Sequence, residues 1–216
     1  KVVDVVLNKR GKSERIIEDF MILANETIST YMRYLDYPMV YRNHPKPKEE
    51  RIIDFLEYMS EIGYKFKGDK YNIHLNQLKE CLKHYENTPY EAIVSELLLR
   101  SMAKAIYEAD SKGHFALGLE NYCHFTSPIR RYPDLIVHRM VKKYVVKRCY
   151  DDLDKDQKDN EKIALRSSDN EKRAVRVERD IMDLKMCEFM ADKIGKVYAG
   201  IISGVVSFGF FVKLEN

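Results

Sequence analysis

Hydrophobic residues change their period once along this chain, and the change sorts it into a helical body and a β tail. In residues 13–35, Ile16, Phe20, Leu23, Ala24, Ile28, Tyr31, Met32 and Leu35 recur at spacings of three and four, which places them on one face of a long helix. After Gly195 the pattern alternates instead: Val197, Ala199 and Ile201 share one side, Gly204 interrupts, and Phe208 to Val212 begin a second strand. An antiparallel pair is therefore predicted over 195–216. Two strands are marginal alone, so they read as the opening of a β domain. The missing initiator Met and the strand running to Asn216 lead us to expect a chain that is part of something longer.

Between these ends the pattern is helical. Ile52, Ile53, Leu56, Met59 and Ile62 form a stripe closed by Gly63, and Leu75, Leu78, Leu82 and Tyr85 a shorter one. Thr88-Pro89-Tyr90-Glu91 has the form of a capping box and predicts a helix over 89–109; Ser168-Asp169-Asn170-Glu171 predicts another over 168–194. Residues 1–7 are β-branched and predict a strand followed by a basic turn over 8–12. The nearest candidate for disorder is 149–162, with Asp151, Asp152, Asp154 and Asp156 read as a solvated acidic loop.

Composition narrows the class. No apolar run approaches the ~18 residues of a membrane span, so no membrane partner is expected. Cys81, Cys123, Cys149 and Cys187 are scattered without a C-x-x-C pair, the usage of free thiols in a reducing compartment, and the cytoplasm is the expected location. The six histidines show no metal-ligand spacing, and Cys123 beside His124 is expected to be neither a zinc ligand pair nor a thiol nucleophile with its base. A net charge of +3 implies no polyanion by itself. Its distribution is uneven, with seven basic side chains and one acid, Asp134, in residues 126–150, then six acids and two lysines in 151–161. Two solvated helix faces would explain that as well as a nucleic-acid surface would.

Residues 113–141 carry the chemistry. Pro128 and Pro133 disfavour helix at Ser127 and Tyr132, so an extended run up to a helix starting at Pro133 is predicted, with Arg130 and Arg131 just before its N-terminus. Guanidinium forks, the hydroxyls of Thr126 and Ser127 and free helix N–H groups suit a phosphate. Pairing of the arginines with acids such as Glu120 is the alternative. Glu178 has Ala174, Val175, Ile181 and Met182 as its helical neighbours, so a partly buried carboxylate in need of a partner is expected, whether a ligand or an arginine.

The run H-F-T-S-P-I-R-R-Y-P-D-L at 124–135, preceded by G-H-F-A-L-G-L and followed by His138-Arg139, resembles the signature of the ribonuclease II and ribonuclease R family, the RNB catalytic domain. Other blocks follow in order. Residues 18–25, E-D-F-M-I-L-A-N, resemble a family helix, Arg42-Asn43-His44 its R-x-H loop, Glu178-Arg179-Asp180 its E-R-D helix, and the F-G-F-F-V tail the first strands of an S1-type OB fold. The likeness is weakest over 48–88 and 146–166.

The resemblance implies an α+β fold, a mainly helical C-terminal portion of an RNB domain over 1–194 and the start of an S1-type barrel over 195–216. It implies a magnesium-dependent enzyme that hydrolyses single-stranded RNA from its 3′ end to nucleoside 5′-monophosphates. Arg130 matches the arginine that clamps the phosphate and Glu178 the glutamate that meets the ribose; both are the expected catalytic residues. Glu18, Thr126, Ser127, Arg131 and Tyr132 are expected RNA contacts. The family's aspartate cluster for magnesium has no counterpart here, and the acids from Asp151 onward fit neither its spacing nor an EF-hand loop, where Gln157 and Ile163 replace the required Gly and Glu. A metal-free, inactive piece of an active parent is therefore expected. A non-catalytic RNA-binding scaffold on the same fold is the alternative.

Overall fold

The computed structural model describes residues 2–6 and 11–214. They divide into two compact units, one of residues 17–168 and one of residues 1–16 with 169–216.

The larger unit holds most of helix α1 (Lys12–Tyr34), strand β1 (Tyr41–Asn43), helices α2 (Glu49–Glu61), α3 (Leu75–His84) and α4 (Glu91–Ser101), strand β2 (Ile106–Glu108), helix α5 (Tyr132–Met140) and the first part of α6 (Leu153–Ala191). The stripes predicted for α2 and α3 become a core, whereas on α1 only Met32 of the predicted stripe is buried and Ile16, Phe20, Leu23 and Tyr31 are 48–63% exposed. Ile52, Phe55, Leu56 and Met59 of α2 meet Leu78 and Cys81 of α3, Val94 and Leu98 of α4, and Tyr85. Each large side chain buried in this way contributes roughly 1.5–3 kcal/mol. Burial also pushes the Cys81 thiol up to about 11, so it is an inert core group. A second cluster joins Met32, Met39, Tyr41, Cys123 and Val137, and a third Val40, Tyr107, Ile136 and Ala164. β1 and β2 pair antiparallel, with Arg42 opposite Tyr107. Gly63, at φ +94°, reverses the chain after α2, where a side chain would be strained.

Several expectations are corrected. Residues 2–6 form no strand, and residues 1 and 7–10, with most of the predicted basic turn, lie outside the described residues. The box at Thr88 does not form. The Thr88 hydroxyl donates back to the Tyr85 carbonyl at 2.6 Å and Glu91 accepts the Asn87 N–H at 2.7 Å, so α4 starts later. It also stops at Ser101, because residues 106–108 are taken by β1: tertiary pairing overrides a helical pattern.

Ser168 caps nothing; it lies in the middle of α6, 6% exposed, where its Oγ accepts the Tyr107 N–H at 2.8 Å. The acidic stretch is not a loop but the entry to α6, favoured there by the helix dipole. Lys143 Nζ meets Asp152 at 2.8 Å and Asp156 at 2.7 Å, and the Tyr144 hydroxyl donates to Asp156 at 2.6 Å. Those two carboxylates hold the lysine's pKa well above its usual value.

In the smaller unit, β3 (Gly200–Val206) and β4 (Gly209–Leu214) form an antiparallel hairpin with a register shift between Ile202 and Gly204, the position where the alternation breaks in the sequence. Glu178 stands on the α6 portion of this unit. It is exposed, not partly buried, and Val175, Val177, Ile181 and Met182 around it are 48–56% exposed: the apolar stripe is present but uncovered.

Candidate nucleic-acid interface

The double-proline segment folds into a turn rather than the predicted extended run. The Ser127 carbonyl accepts the N–H groups of Arg130 at 3.3 Å and Arg131 at 3.0 Å, and α5 follows with Pro133 in its first turn. The turn is braced from its own helix. Asp134, with no exposed surface, accepts both the Ser127 N–H and Arg131 Nη2 on one oxygen, each at 2.7 Å. Arg131 is thereby drawn inward, to 21% side-chain exposure, with Asp134 as its partner instead of Glu120. Arg130 points the other way. It is exposed and makes no ion pair or hydrogen bond through its side chain among the described residues. Thr126 and Ser127 are half-buried, Tyr132 is exposed at the start of α5, and Glu18 is half-buried on α1.

Asn25 ties this segment to α1. Its Nδ2 donates to the Tyr122 hydroxyl at 3.0 Å, its Oδ1 accepts the Phe125 N–H at 2.9 Å, and its carbonyl accepts the Cys123 thiol at 3.3 Å. His138 of α5 donates from Nε2 to the Phe125 carbonyl at 2.9 Å and stacks on that ring at 4.0 Å. Two motif blocks far apart in sequence are thus locked together before any ligand arrives.

Beside the turn lies a cluster that motif reading did not assign. The Arg42 guanidinium sits 4.5 Å over the Tyr107 ring, and the Tyr107 hydroxyl meets His124 Nδ1 at 2.8 Å. Tyr122 lies edge-on to His124 and to His114, and His114 lies 5.1 Å from His44. Burial, then the positive charges of Arg131 and Arg42, and after them His114 and Arg130, push His124 down to about 3. His114 falls to about 4, by burial and then by His44 and Arg42. Arg131, itself balanced by Asp134, and Arg42 are the largest charges acting on the neutral His124 imidazole. Burial raises the Cys123 thiol, which removes it as a nucleophile. Arg42-Asn43-His44 and the motif residues His114 and His124 were the visible signals for this cluster; Tyr107 carried none. The structure places Glu178 in the other unit and so does not join it to this group.

These histidines make a pH prediction. Their folded values lie below the ordinary 6.5, so the unfolded chain takes up protons first as pH falls. The stability they lend is complete above about pH 6.5 and drains as pH drops toward their folded values. Denaturant unfolding between about pH 7 and 4.5 should show a loss that His124→Gln reduces; an unchanged slope in that variant would contradict the assignment.

Among the described residues no three His, Cys, Asp or Glu side chains converge as a metal cage. The acidic pair Asp152 and Asp156 is already bridged by Lys143. These residues do not fit magnesium. No helix among the described residues is long and apolar enough to cross a membrane.

Residues 1–147 match the family model described as the RNB domain. The chain is 40% identical over 215 residues to ribonuclease R 1 of Lactococcus lactis, covering 99% of this chain and 26% of that protein. It is 39% identical to ribonuclease R of Thermotoga maritima, covering 100% and 31%. Among solved structures, RNase R of Mycoplasma genitalium in complex with ribose methylated single-stranded RNA superposes with a TM-score of 0.90 at 31% identity, covering 96% of this chain and 33% of that one. The chain therefore spans between a quarter and a third of the length of these relatives.

Proposed function

This chain belongs to the RNB-domain family that includes ribonuclease R, and from that membership we propose that it is the C-terminal part of the RNB domain of an RNA-degrading enzyme. The reaction is hydrolysis of single-stranded RNA from its 3′ end to nucleoside 5′-monophosphates, in the cytoplasm. Residues 1–194 belong to the RNB domain and 195–216 open an S1-type RNA-binding module. Magnesium has no fitting donor set among the described residues; it is held by acids outside this chain, and the chain alone is inactive.

One observation carries the reading: an exposed Arg130, with no side-chain partner among the described residues, on a turn held by the buried Asp134–Arg131 pair. A phosphodiester is anionic throughout, and its oxygens gain charge as the nucleophile adds. A guanidinium fork held ready for those oxygens stabilises that later state most. The brace means that little ordering remains when RNA arrives. Arg131 contributes its charge from behind the turn, Thr126, Ser127 and Tyr132 flank the phosphate, Glu18 holds the terminal nucleotides, and Glu178 meets the ribose, whose 2′-hydroxyl marks RNA.

The test sets this chain beside a form extended upstream, each with 5′-labelled single-stranded RNA and magnesium, the products resolved by length. Only the extended form should shorten the RNA stepwise from its 3′ end. Failure of both would favour the non-catalytic RNA-binding scaffold.

A further inference from the structure

We infer that the larger unit holds a second contact for single-stranded RNA, a pocket at the junction of α2 and α3 that takes one nucleotide with its base against aromatic rings and its phosphate against lysines. The inference rests on the RNA reading above, but its residues are separate from those around Arg130.

After Gly63 the chain runs without regular structure as Tyr64-Lys65-Phe66-Lys67. Burial alternates along it. Tyr64 and Phe66 are half-buried and pack on the α2–α3–α4 core, while Lys65 and Lys67 are exposed. Together with Lys83 and His84 of α3 they line a cavity of about 500 Å³. That is the size range of small-ligand pockets. The cavity wall is built into the fold. The Tyr64 N–H donates to the Met59 carbonyl at 2.8 Å, and the Tyr64 ring lies 5.2 Å from His84. Gln77 clamps the far side, donating to the Lys67 carbonyl at 3.2 Å and accepting the His74 N–H at 2.8 Å.

The lining chemistry selects the ligand. Three lysines against one acid, Glu80, favour an anion. Two rings and an imidazole in the same wall offer stacking that any base can use, worth about 1–3 kcal/mol per base at sites of this kind. An acidic peptide would satisfy the lysines and leave the rings idle, so a nucleotide is the better fit. Residues 64–84 lie outside the motif blocks around Arg130.

The lysines are exposed and can be replaced without touching the core. Binding of a labelled uridine dodecamer to this chain would be followed by fluorescence anisotropy across a salt series. Lys65→Ala, Lys67→Ala and Lys83→Ala together should weaken binding about tenfold and lower the salt slope by about 2, given roughly 0.7 per phosphate contact on a single strand. Lys155→Ala, Lys158→Ala and Lys162→Ala together, three exposed lysines of α6 outside the pocket, should cost less than about twofold. Equal losses in the two triple variants, or none in the first, would overturn the pocket while leaving the RNA reading intact. No binding by the unsubstituted chain would overturn both. Photocrosslinking with a 5-iodouridine strand supplies a second readout: the adduct should fall on Tyr64 or Phe66, and its absence there would contradict the stacking half of the inference.

Discussion

Asp134→Ala should destabilise the larger unit by about 3–5 kcal/mol, the typical cost of removing one partner from a buried ion pair. Asp134 has no exposed surface, and a single oxygen holds the Arg131 guanidinium and the Ser127 N–H, each at 2.7 Å. Its removal leaves a mostly buried positive charge and a backbone donor without partners. Asp134→Asn keeps an oxygen for the Ser127 N–H and loses the charge, so it should cost less, about 1–3 kcal/mol. Denaturant unfolding of the three proteins should rank them in that order. A loss below about 1 kcal/mol for Asp134→Ala would mean that the pair does not brace the turn.

Asp134 also shows what could not be read from the chain. As a sequence it is the one acid among seven bases in 126–150, an apparent bystander to the charge surplus. Only the fold reveals that it consumes one arginine and thereby separates two neighbours of the same type: Arg131 inward, Arg130 outward. The prolines did announce the start of α5, because they act locally through φ and through the residue before them. They could not announce the turn, which depends on the Asp134 carboxylate reaching back to Ser127.

The same division runs through the fold. The stripes of α2 and α3 and the alternation of the tail were legible, because each reports a face that is buried or paired; the α1 stripe gave the helix, but most of its apolar face is exposed. The helix starts at Thr88 and Ser168 were misread for a common reason. An S/T-x-x-E string records which side chains could cap, not whether the chain is already helical there. At Ser168 the hydroxyl serves Tyr107 across the core, and at Thr88 it serves the end of the preceding helix. The Arg42–Tyr107–His124 cluster was out of reach for a further reason. Arg42, Tyr107 and His124 come from three separate segments, joined by one strand pairing and one hydrogen bond. Glu178 was placed on the right helix face, but its apolar neighbours there are exposed in place of the expected burial.

The second large effect belongs to Arg130, the exposed product of this arrangement. In the upstream-extended protein, Arg130→Ala should lower the rate of RNA cleavage by about 10²–10³, the loss typical of removing one preorganised donor from developing charge. Binding of the same RNA should change far less, because the other cations still meet the strand. Arg130→Lys keeps the charge but not the bidentate fork, and should recover only part of the rate. Measuring the cleavage rate at saturating RNA and the dissociation constant side by side, for these two variants and the parent, tests directly whether this turn holds the scissile phosphate. The account predicts a large fall in rate with a small change in affinity; equal losses in both would reduce Arg130 to one general phosphate contact among several and contradict it.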